Sequence, residues 1–260
     1  MATSIATEPT ADIAKRQRFI ETLELPPIPE ALRGISLGSV VQPEADQPEG
    51  YVDDGSLISF VSGVSGQSRA DVLNSTLLAQ LAANKKYDRW KDTKDWYEFY
   101  VNVLENVGWV LQSFEFSEYQ AHGATLEVDK AVLEILAAIA SQDQIAVATE
   151  TMNALKALSS DDGKVVLFST ASSSLGSGSF QINAVNETNG AVAMGLGAFY
   201  FNSTQSTTRF LWFTYDSSDM DLFKAAQSVT LNLQIYDKVR QAVIDKLGQN
   251  ATTFVADLDI

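Results

Sequence analysis

The chain lacks cysteine and has a single histidine, His122, among its 260 residues. The absence of cysteine excludes disulfide bonds, thiolate metal ligands and a cysteine nucleophile. One histidine excludes a zinc or iron site built from several imidazoles of one chain. His122 precedes Gly123 in a predicted turn without a G-x-S-x-G motif beside it, so a hydrolase built around His122 or a carboxylate pair is only a third hypothesis. We therefore expect a protein that is not an enzyme and that uses neither a metal nor another cofactor.

Basic residues are also scarce, since 18 lysines and arginines stand against 33 aspartates and glutamates, a net charge of −15. This balance excludes nucleic acid as the main partner, because neutralising phosphates requires clustered basic side chains. It disfavours strongly anionic membranes but not zwitterionic ones. The chain has no run of ~18 apolar residues and no basic stretch at its start. We expect a soluble protein made without a signal peptide, stored inside the cell or released by a non-classical route.

Proline is absent after Pro48, and all six prolines lie in the first 50 residues. These residues combine one predicted helix, residues 11–25, with an acidic, proline-spaced stretch, residues 42–50, that is typical of an exposed linker. The pattern predicts an N-terminal arm or pro-segment over residues 1–50. One compact domain is predicted over residues 51–260.

Helical periodicity dominates the first half of that domain. The predicted helices cover residues 56–64, 68–83, 93–107, 129–139 and 143–158, with strands at residues 110–117 and 123–128. The last two helices form a predicted αα-hairpin. Tyr87 and Trp90 fall outside the apolar face of the third helix, and if exposed they would suit a lipid interface or a sugar-stacking site.

The period changes to two after residue 163. The predicted strands cover residues 164–170, 178–185, 190–201, 208–215 and 227–233, followed by a helix over residues 236–247. Short turns between successive strands predict antiparallel pairing. One face of the third strand carries only Ala191, Ala193, Gly195 and Gly197 before its aromatic end, which predicts close packing by a helix. The predicted fold is α/β (α+β), a single-domain three-layer sandwich with an antiparallel-rich sheet flanked by helical hairpins.

The strand predicted over residues 190–201 is long enough to cross a bilayer. It would span about 40 Å at ~3.3 Å per residue, whereas a membrane-crossing strand needs only ~9–11 residues. The preceding residues alternate Ser, Gly, Asn and Gln with apolar side chains, as in strands between a wet lumen and lipid. The candidate membrane-insertion residues are Val192, Met194, Leu196, Phe199, Phe201, Phe210 and Trp212.

Residues 128–136, 190–196 and 209–218 carry a family resemblance. The first (VDKAVLEIL) looks like an apolar helix, the second (GAVAMGL) like a long strand, and the third (RFLWFTYDSS) like a late core strand and turn. In this order they resemble the Cyt-type δ-endotoxin and volvatoxin-like cytolysin family. The likeness spans roughly residues 93–247, and the aromatic-rich stretch of residues 87–109 and the net charge depart from it.

The resemblance implies a Cyt-like, pore-forming cytolysin that acts on target-cell membranes without an enzymatic step. Its helices would move away from the sheet, and its long strands would insert as a homo-oligomer forms on the membrane. A dimer in solution is also compatible with the resemblance. The implied partners are membrane phospholipids, and the net charge favours zwitterionic ones. A pro-segment removed by proteolysis is implied too. Its candidate cleavage points are Lys15, Arg16, Arg18 and Arg33.

A second hypothesis stays open beside the toxin. Exposed aromatic side chains would also serve a non-lytic binding or storage protein with a lectin-like or self-assembly role. Binding that depends on a sugar and causes no leakage of vesicles would select this hypothesis.

Overall fold

The chain folds into three layers, with a mixed β-sheet between two layers of helices. The computed structural model describes residues 8–32, 47–121, 123–204 and 209–260. The helices of this part of the chain are α1 (Glu8–Thr22), α2 (Gly66–Lys86), α3 (Thr93–Val107), α4 (Val128–Leu136), α5 (Gln142–Ala157), α6 (Gly163–Ser172), α7 (Leu233–Leu247) and α8 (Asn250–Thr253). The strands are β1 (Glu49–Asp53), β2 (Ser56–Phe60), β3 (Trp109–Val110), β4 (Ser117–Glu118), β5 (Thr125–Glu127), β6 (Ser173–Ser174), β7 (Ser177–Thr188), β8 (Ala191–Ser203), β9 (Thr214–Asp216), β10 (Met220–Leu231) and β11 (Val255–Leu258).

The main sheet has the strand order β11-β1-β2-β7-β8-β10-β3, while β4 pairs with β10 and β6 with β7. All of its pairs are antiparallel except β2 with β7. β5 and β9 form a separate two-stranded sheet. The long antiparallel strands β7, β8 and β10 form the centre of the main sheet, so the predicted antiparallel-rich sheet is confirmed.

Helices cover both faces of this sheet. On one face, α2 and α3 pack together with α1 and α7, and Tyr97 of α3 reaches Ser179 of β7 at 3.2 Å. On the other face lie α4, α5 and α6, and Gln144 of α5 donates to the carbonyl of Ala184 of β7 at 2.7 Å. One continuous apolar core includes side chains from both helical layers. The predicted single-domain α+β sandwich is therefore confirmed.

Local signals explain where the helices begin and end. Ser141 and Gln144 form a capping box at the start of α5, which satisfies two backbone donors at once. Gly108 ends α3 in the left-handed conformation at φ 115°, which glycine adopts without a Cβ penalty. The helices predicted over residues 68–83, 93–107, 143–158 and 236–247 are confirmed, with ends that move by a few residues.

Two short apolar stretches adopt the opposite structure from the predicted one. Residues 56–64 were expected to be helical, but β2 occupies Ser56–Phe60 and is buried along its whole length between β1 and β7. Residues 164–170 were expected to form a strand but lie in α6, which Asp162 caps by accepting from the backbone of Lys164. Periodicity does not separate a strand from a helix in so short an apolar run.

Three further strand predictions are wrong in extent. The stretch 208–215 contains a 3₁₀ turn, Phe210–Trp212, and only then the start of β9; residues 205–208 lie outside the described residues. Residues 110–117 pair with β10 only at their two ends, as β3 and β4. The last long strand, β10, begins at Met220 instead of residue 227.

The helix of the predicted N-terminal arm packs on the body of the protein. α1 contacts α7 and α3, and its Ile20 is fully buried. Arg16 donates to the carbonyls of Glu105 and Asn106 at the end of α3. Lys15 and Arg18 are exposed on this helix, so a protease would have to unfold a turn to cut there. The arm boundary and its cleavage points stay predictions, and Arg33 and His122 lie outside the described residues.

Candidate membrane-insertion hairpin

The strands β7, β8 and β10 have 12, 13 and 12 residues. Each therefore spans about 40 Å at ~3.3 Å per residue, longer than a bilayer's hydrocarbon core of ~30 Å. β8 contains no charged residue, and β7 contains only Glu187, near its end. Neighbouring strands pair over twelve consecutive positions on each side of β8. The predicted long strand is thus the middle of a three-stranded antiparallel unit.

Over residues 179–184, β7 has one apolar and one polar face, both fully buried. Phe180, Ile182 and Ala184 face the α4–α6 layer. Ser179, Gln181 and Asn183 face α2 and α3. This alternation is typical of a strand between lipid and a wet lumen. In a closed globular core, however, polar side chains at alternate positions lose their hydration.

The small residues of β8 lie under α4 and the turn that follows it, as the sequence predicts. A Cβ built on Gly195 would lie 3.2 Å from the Cβ of Ala140, and one on Gly197 would lie 3.0 Å from a methyl of Leu136. Larger side chains at these positions would push the helix away from the sheet. The α4–α5 hairpin thus rests on a smooth strip of the sheet.

The predicted insertion residues of β8 divide between its two faces. Phe199 and Phe201 share the face of Gly197, where Phe199 stacks on Phe180 with ring centroids 5.1 Å apart. The other three predicted residues of β8 are Val192, Met194 and Leu196. They lie on the opposite face, the same face as Asn183 of β7, because Leu196 pairs directly with Asn183. All five side chains are buried.

Phe210 and Trp212 do not belong to a long strand, which corrects that part of the prediction. Both lie in the 3₁₀ turn, and Phe210 fits between the rings of Phe180 and Phe201, 5.1 and 4.9 Å away. Phe210 thus covers the aromatic end of the sheet and does not pair with any of its strands. Residues 210–212 are apolar at consecutive positions because this turn packs into the core, and not because they form a central strand.

A buried polar cluster lies between α2, α3 and the sheet, and the sequence analysis did not single it out. Arg89 donates to Gln181 at 2.7 Å and to Ser179 at 3.3 Å, and its guanidinium lies 3.7 Å from the carboxylate of Asp54. Gln181 also donates to the hydroxyl of Tyr97 at 2.9 Å. The residues come from distant parts of the chain. Only the polar alternation in β7 could have indicated them.

Three buried groups beside this cluster have polar atoms without a hydrogen-bond partner among the described protein atoms. They are the Oδ1 atom of Asp53, the hydroxyl of Tyr100 and both amide atoms of Asn183. Burial raises the pKa of Asp53 well above its usual range, the Thr76 hydroxyl opposes this, and the neighbouring Asp54 adds to it. Burial likewise raises the pKa of Tyr100. Unpaired buried groups cost free energy, so this side of the sheet is a destabilised part of the core.

An open pocket of about 520 Å³ lies beside the end of α2. Asp54 and Arg89 line it together with apolar side chains from the arm, α6 and the C-terminal region. Trp90, which is 37% exposed, belongs to the same lining. The pocket has the size and the mixed walls of a small-molecule site.

Metal clusters and membrane-spanning helices are both absent from the described ranges. There, no group of three or more His, Asp or Glu side chains is arranged to hold a metal ion. In the same part of the chain, no helix combines the length and the apolar character needed to span a bilayer.

Comparison with known proteins finds a distant structural likeness. No family model matches the chain, and no curated protein does. Among solved structures, the Evf virulence factor is similar over 76% of this chain and 78% of its own, at 11% sequence identity and a TM-score of 0.34. A TM-score this low falls short of a shared fold, and no property of that protein is transferred to this chain.

Proposed function

We propose that this protein permeabilises membranes, as a pore-forming protein whose sheet inserts after its helices move away. The observation that carries the proposal is the β7–β8–β10 unit. It has strands long enough to cross a bilayer, and over residues 179–184 of β7 an apolar face lies opposite a polar one. In the folded monomer helices cover both faces of β7 and β8, which is the arrangement a latent insertion sheet requires.

The α4–α5 hairpin is the cover that moves in this proposal. Its α4 region rests on Gly195 and Gly197, which present no side chain to interlock with it, while α5 packs on β1, β2 and β7. Side-chain hydrogen bonds from α5 to the sheet include Gln144 to the Ala184 carbonyl and Ser59 to Thr151. A smooth contact of this kind separates without breaking a large polar network.

After release, the two faces of the unit take different surroundings. Phe180, Ile182, Phe199 and Phe201 would face lipid, and the Ser179–Gln181–Asn183 row would face water. Val192, Met194 and Leu196 share the face of that row and would be part of the lumen wall. A three-stranded unit leaves unpaired backbone groups at its edges, which bilayers do not tolerate. Several copies therefore join their edges into a closed barrel, so the active form is a homo-oligomer on the membrane. Zwitterionic phospholipids are its proposed target, because the chain carries a net charge of −15.

Dye release from phosphatidylcholine vesicles tests the proposal. We expect the full chain to release a small trapped dye, and limited trypsin treatment to increase the release if the arm restrains insertion. Vesicles loaded with large dextrans serve as the control. A vesicle with a pore keeps its dextrans because they are too large to pass, whereas a vesicle ruptured by a detergent-like action releases them. A folded protein that releases nothing in either state, across several lipid mixtures, contradicts the proposal.

The open pocket favours a second candidate function, a non-lytic binding protein. Its 520 Å³ volume and the aromatic ring of Trp90 at its lining suit a small polar ligand such as a sugar. Thermal stabilisation by a sugar panel, lost in Trp90→Ala and accompanied by no dye release, would select this candidate.

A further inference from the structure

The turn between β6 and β7 has an unusual residue at its tip. Leu175 and Gly176 connect the paired residues Ser174 and Ser177, and both have positive φ values, 45° and 85°. The turn between β7 and β8 has the same pattern but uses Asn189 and Gly190, at 53° and 74°. Asn-Gly is the preferred pair for such a two-residue turn, whereas leucine is disfavoured at positive φ.

Among the described residues, Leu175 is also the most exposed of the large apolar side chains, at 95%. An exposed leucine in the left-handed region loses backbone free energy and gains no burial in the monomer. Neither feature therefore contributes to the stability of the folded chain. The positive φ at this exposed leucine is backbone strain that the monomer does not use, and it points to a partner that buries the side chain.

Trp90 lies at the same end of the molecule as this tip. α2 runs antiparallel to β7, because Ser65 at its start donates to Glu187 near the end of β7 at 3.0 Å. Arg89, just after α2, reaches Ser179 near the start of β7 at 3.3 Å. The loop that carries Trp90 therefore lies at the sheet end where the β6–β7 turn projects. Tryptophan is enriched where a protein meets the membrane–water interface.

The same loop region concentrates positive charge in a strongly acidic chain. Residues 85–94 contain five of the 18 basic residues, Lys85, Lys86, Arg89, Lys91 and Lys94, against two acidic residues. The lysines are exposed, and three of them form ion pairs at the surface: Lys85 with Glu24, Lys91 with Asp88 and Lys94 with Glu98. Exposed pairs of this kind are weak, so these ammonium groups exchange readily to the phosphate oxygens of lipid headgroups.

We propose that the Leu175 turn, Trp90 and the lysines of residues 85–94 form the surface by which the protein first docks on a zwitterionic phospholipid bilayer. Leu175 enters the acyl region, Trp90 lies at the headgroup level, and the lysines contact phosphates. The proposal rests on the proposed membrane function and adds the site of first contact. It places docking at one end of the sheet, before any helix moves.

The substitution Leu175→Asn tests the docking surface without endangering the fold. Asparagine tolerates positive φ, so we expect the variant to be at least as stable as the parent while its binding to phosphatidylcholine vesicles falls about tenfold, the order expected for losing one buried leucine. Val110→Asn is the matched control, because Val110 is 65% exposed and lies at the far end of α3. Equal vesicle binding by Leu175→Asn and the parent overturns the proposal.

A fluorescent label separates docking from pore formation. Since the chain has no cysteine, Leu175→Cys and Val110→Cys each accept one polarity-sensitive probe. We expect a blue shift and quenching by lipid-borne quenchers at position 175 only. Insertion at 175 without dye release supports docking and contradicts the pore. Dye release without insertion at position 175 overturns the docking proposal and leaves the pore proposal standing. A protein that does not bind vesicles at all also overturns the docking proposal.

Discussion

Tying α4 to the sheet should stop membrane leakage reversibly. We expect the double variant Ala140→Cys, Gly195→Cys to release no more dye than vesicles alone when oxidised, and to regain release on reduction. The Cβ positions of the two residues are 3.2 Å apart, close to the ~3.8 Å typical of disulfides. The bond would join the end of the α4 region to the middle of β8, so the helix could not leave the strand that it covers.

The oxidised protein provides its own check that the bond has formed in a native fold. A disulfide closing a loop of roughly 55 residues should add about 4 kcal/mol to the free energy of unfolding, so its melting temperature should rise. The single variants Ala140→Cys and Gly195→Cys, under the same oxidising conditions, control for crowding at this contact. Equal leakage in the oxidised and reduced forms would count against release of α4.

Replacing Asp53 by asparagine should stabilise the protein at neutral and alkaline pH. The carboxyl group is fully buried, and its Oδ2 accepts from Thr76 at 2.7 Å while its Oδ1 has no partner among the described atoms. Burial raises its pKa in the folded state. The folded chain therefore holds a proton that the unfolded chain releases above pH ~4.

The sign of the pH effect follows from this linkage. The stability that the protonated carboxyl contributes is complete below pH ~4 and is lost by ~1.4 kcal/mol per pH unit as the pH rises toward the folded pKa. Asparagine imitates the protonated acid and does not titrate, so the difference in unfolding free energy should be small at pH 4 and grow with pH. Urea unfolding at several pH values measures it. A difference that does not change with pH contradicts the buried, proton-holding carboxyl.

Asp54→Asn is the contrasting variant for this experiment. Asp54 is also buried, and burial raises its pKa, but the buried guanidinium of Arg89, 3.7 Å from its carboxyl group, opposes this shift. Removing one member of a buried ion pair leaves the other charge uncompensated. We therefore expect a loss of about 3 kcal/mol in unfolding free energy, opposite in sign to Asp53→Asn at neutral pH.

Long periodic segments were predictable from the sequence because their pattern repeats often enough to separate a helix from a strand. β8 is the best case, since its row of small residues also predicted the close packing that Gly195 and Gly197 make with the α4 region. Short apolar runs were not predictable. Residues 164–170 lie in a helix whose start is capped by Asp162, and Phe210 lies outside the sheet, between aromatic rings.

The buried polar cluster was hidden because its members are far apart in sequence. Asp54, Arg89 and Gln181 meet only when the β1–β2 turn, the α2–α3 loop and β7 assemble, and no local spacing marks such a set. The alternation of Ser179, Gln181 and Asn183 was visible, but it looks the same in a wet strand and in a buried one. The exposed leucine of the β6–β7 turn was hidden for a related reason, since its positive φ appears only in the folded backbone.

Hydrogen exchange of vesicle-bound protein tests the central claim most directly. If the sheet inserts after its cover leaves, amides of α4 and α5 should exchange much faster than in the free protein, while those of β7 and β8 stay protected by strand pairing and lipid. Leakage by a bound protein whose α4 and α5 remain as protected as they are in solution would contradict the account.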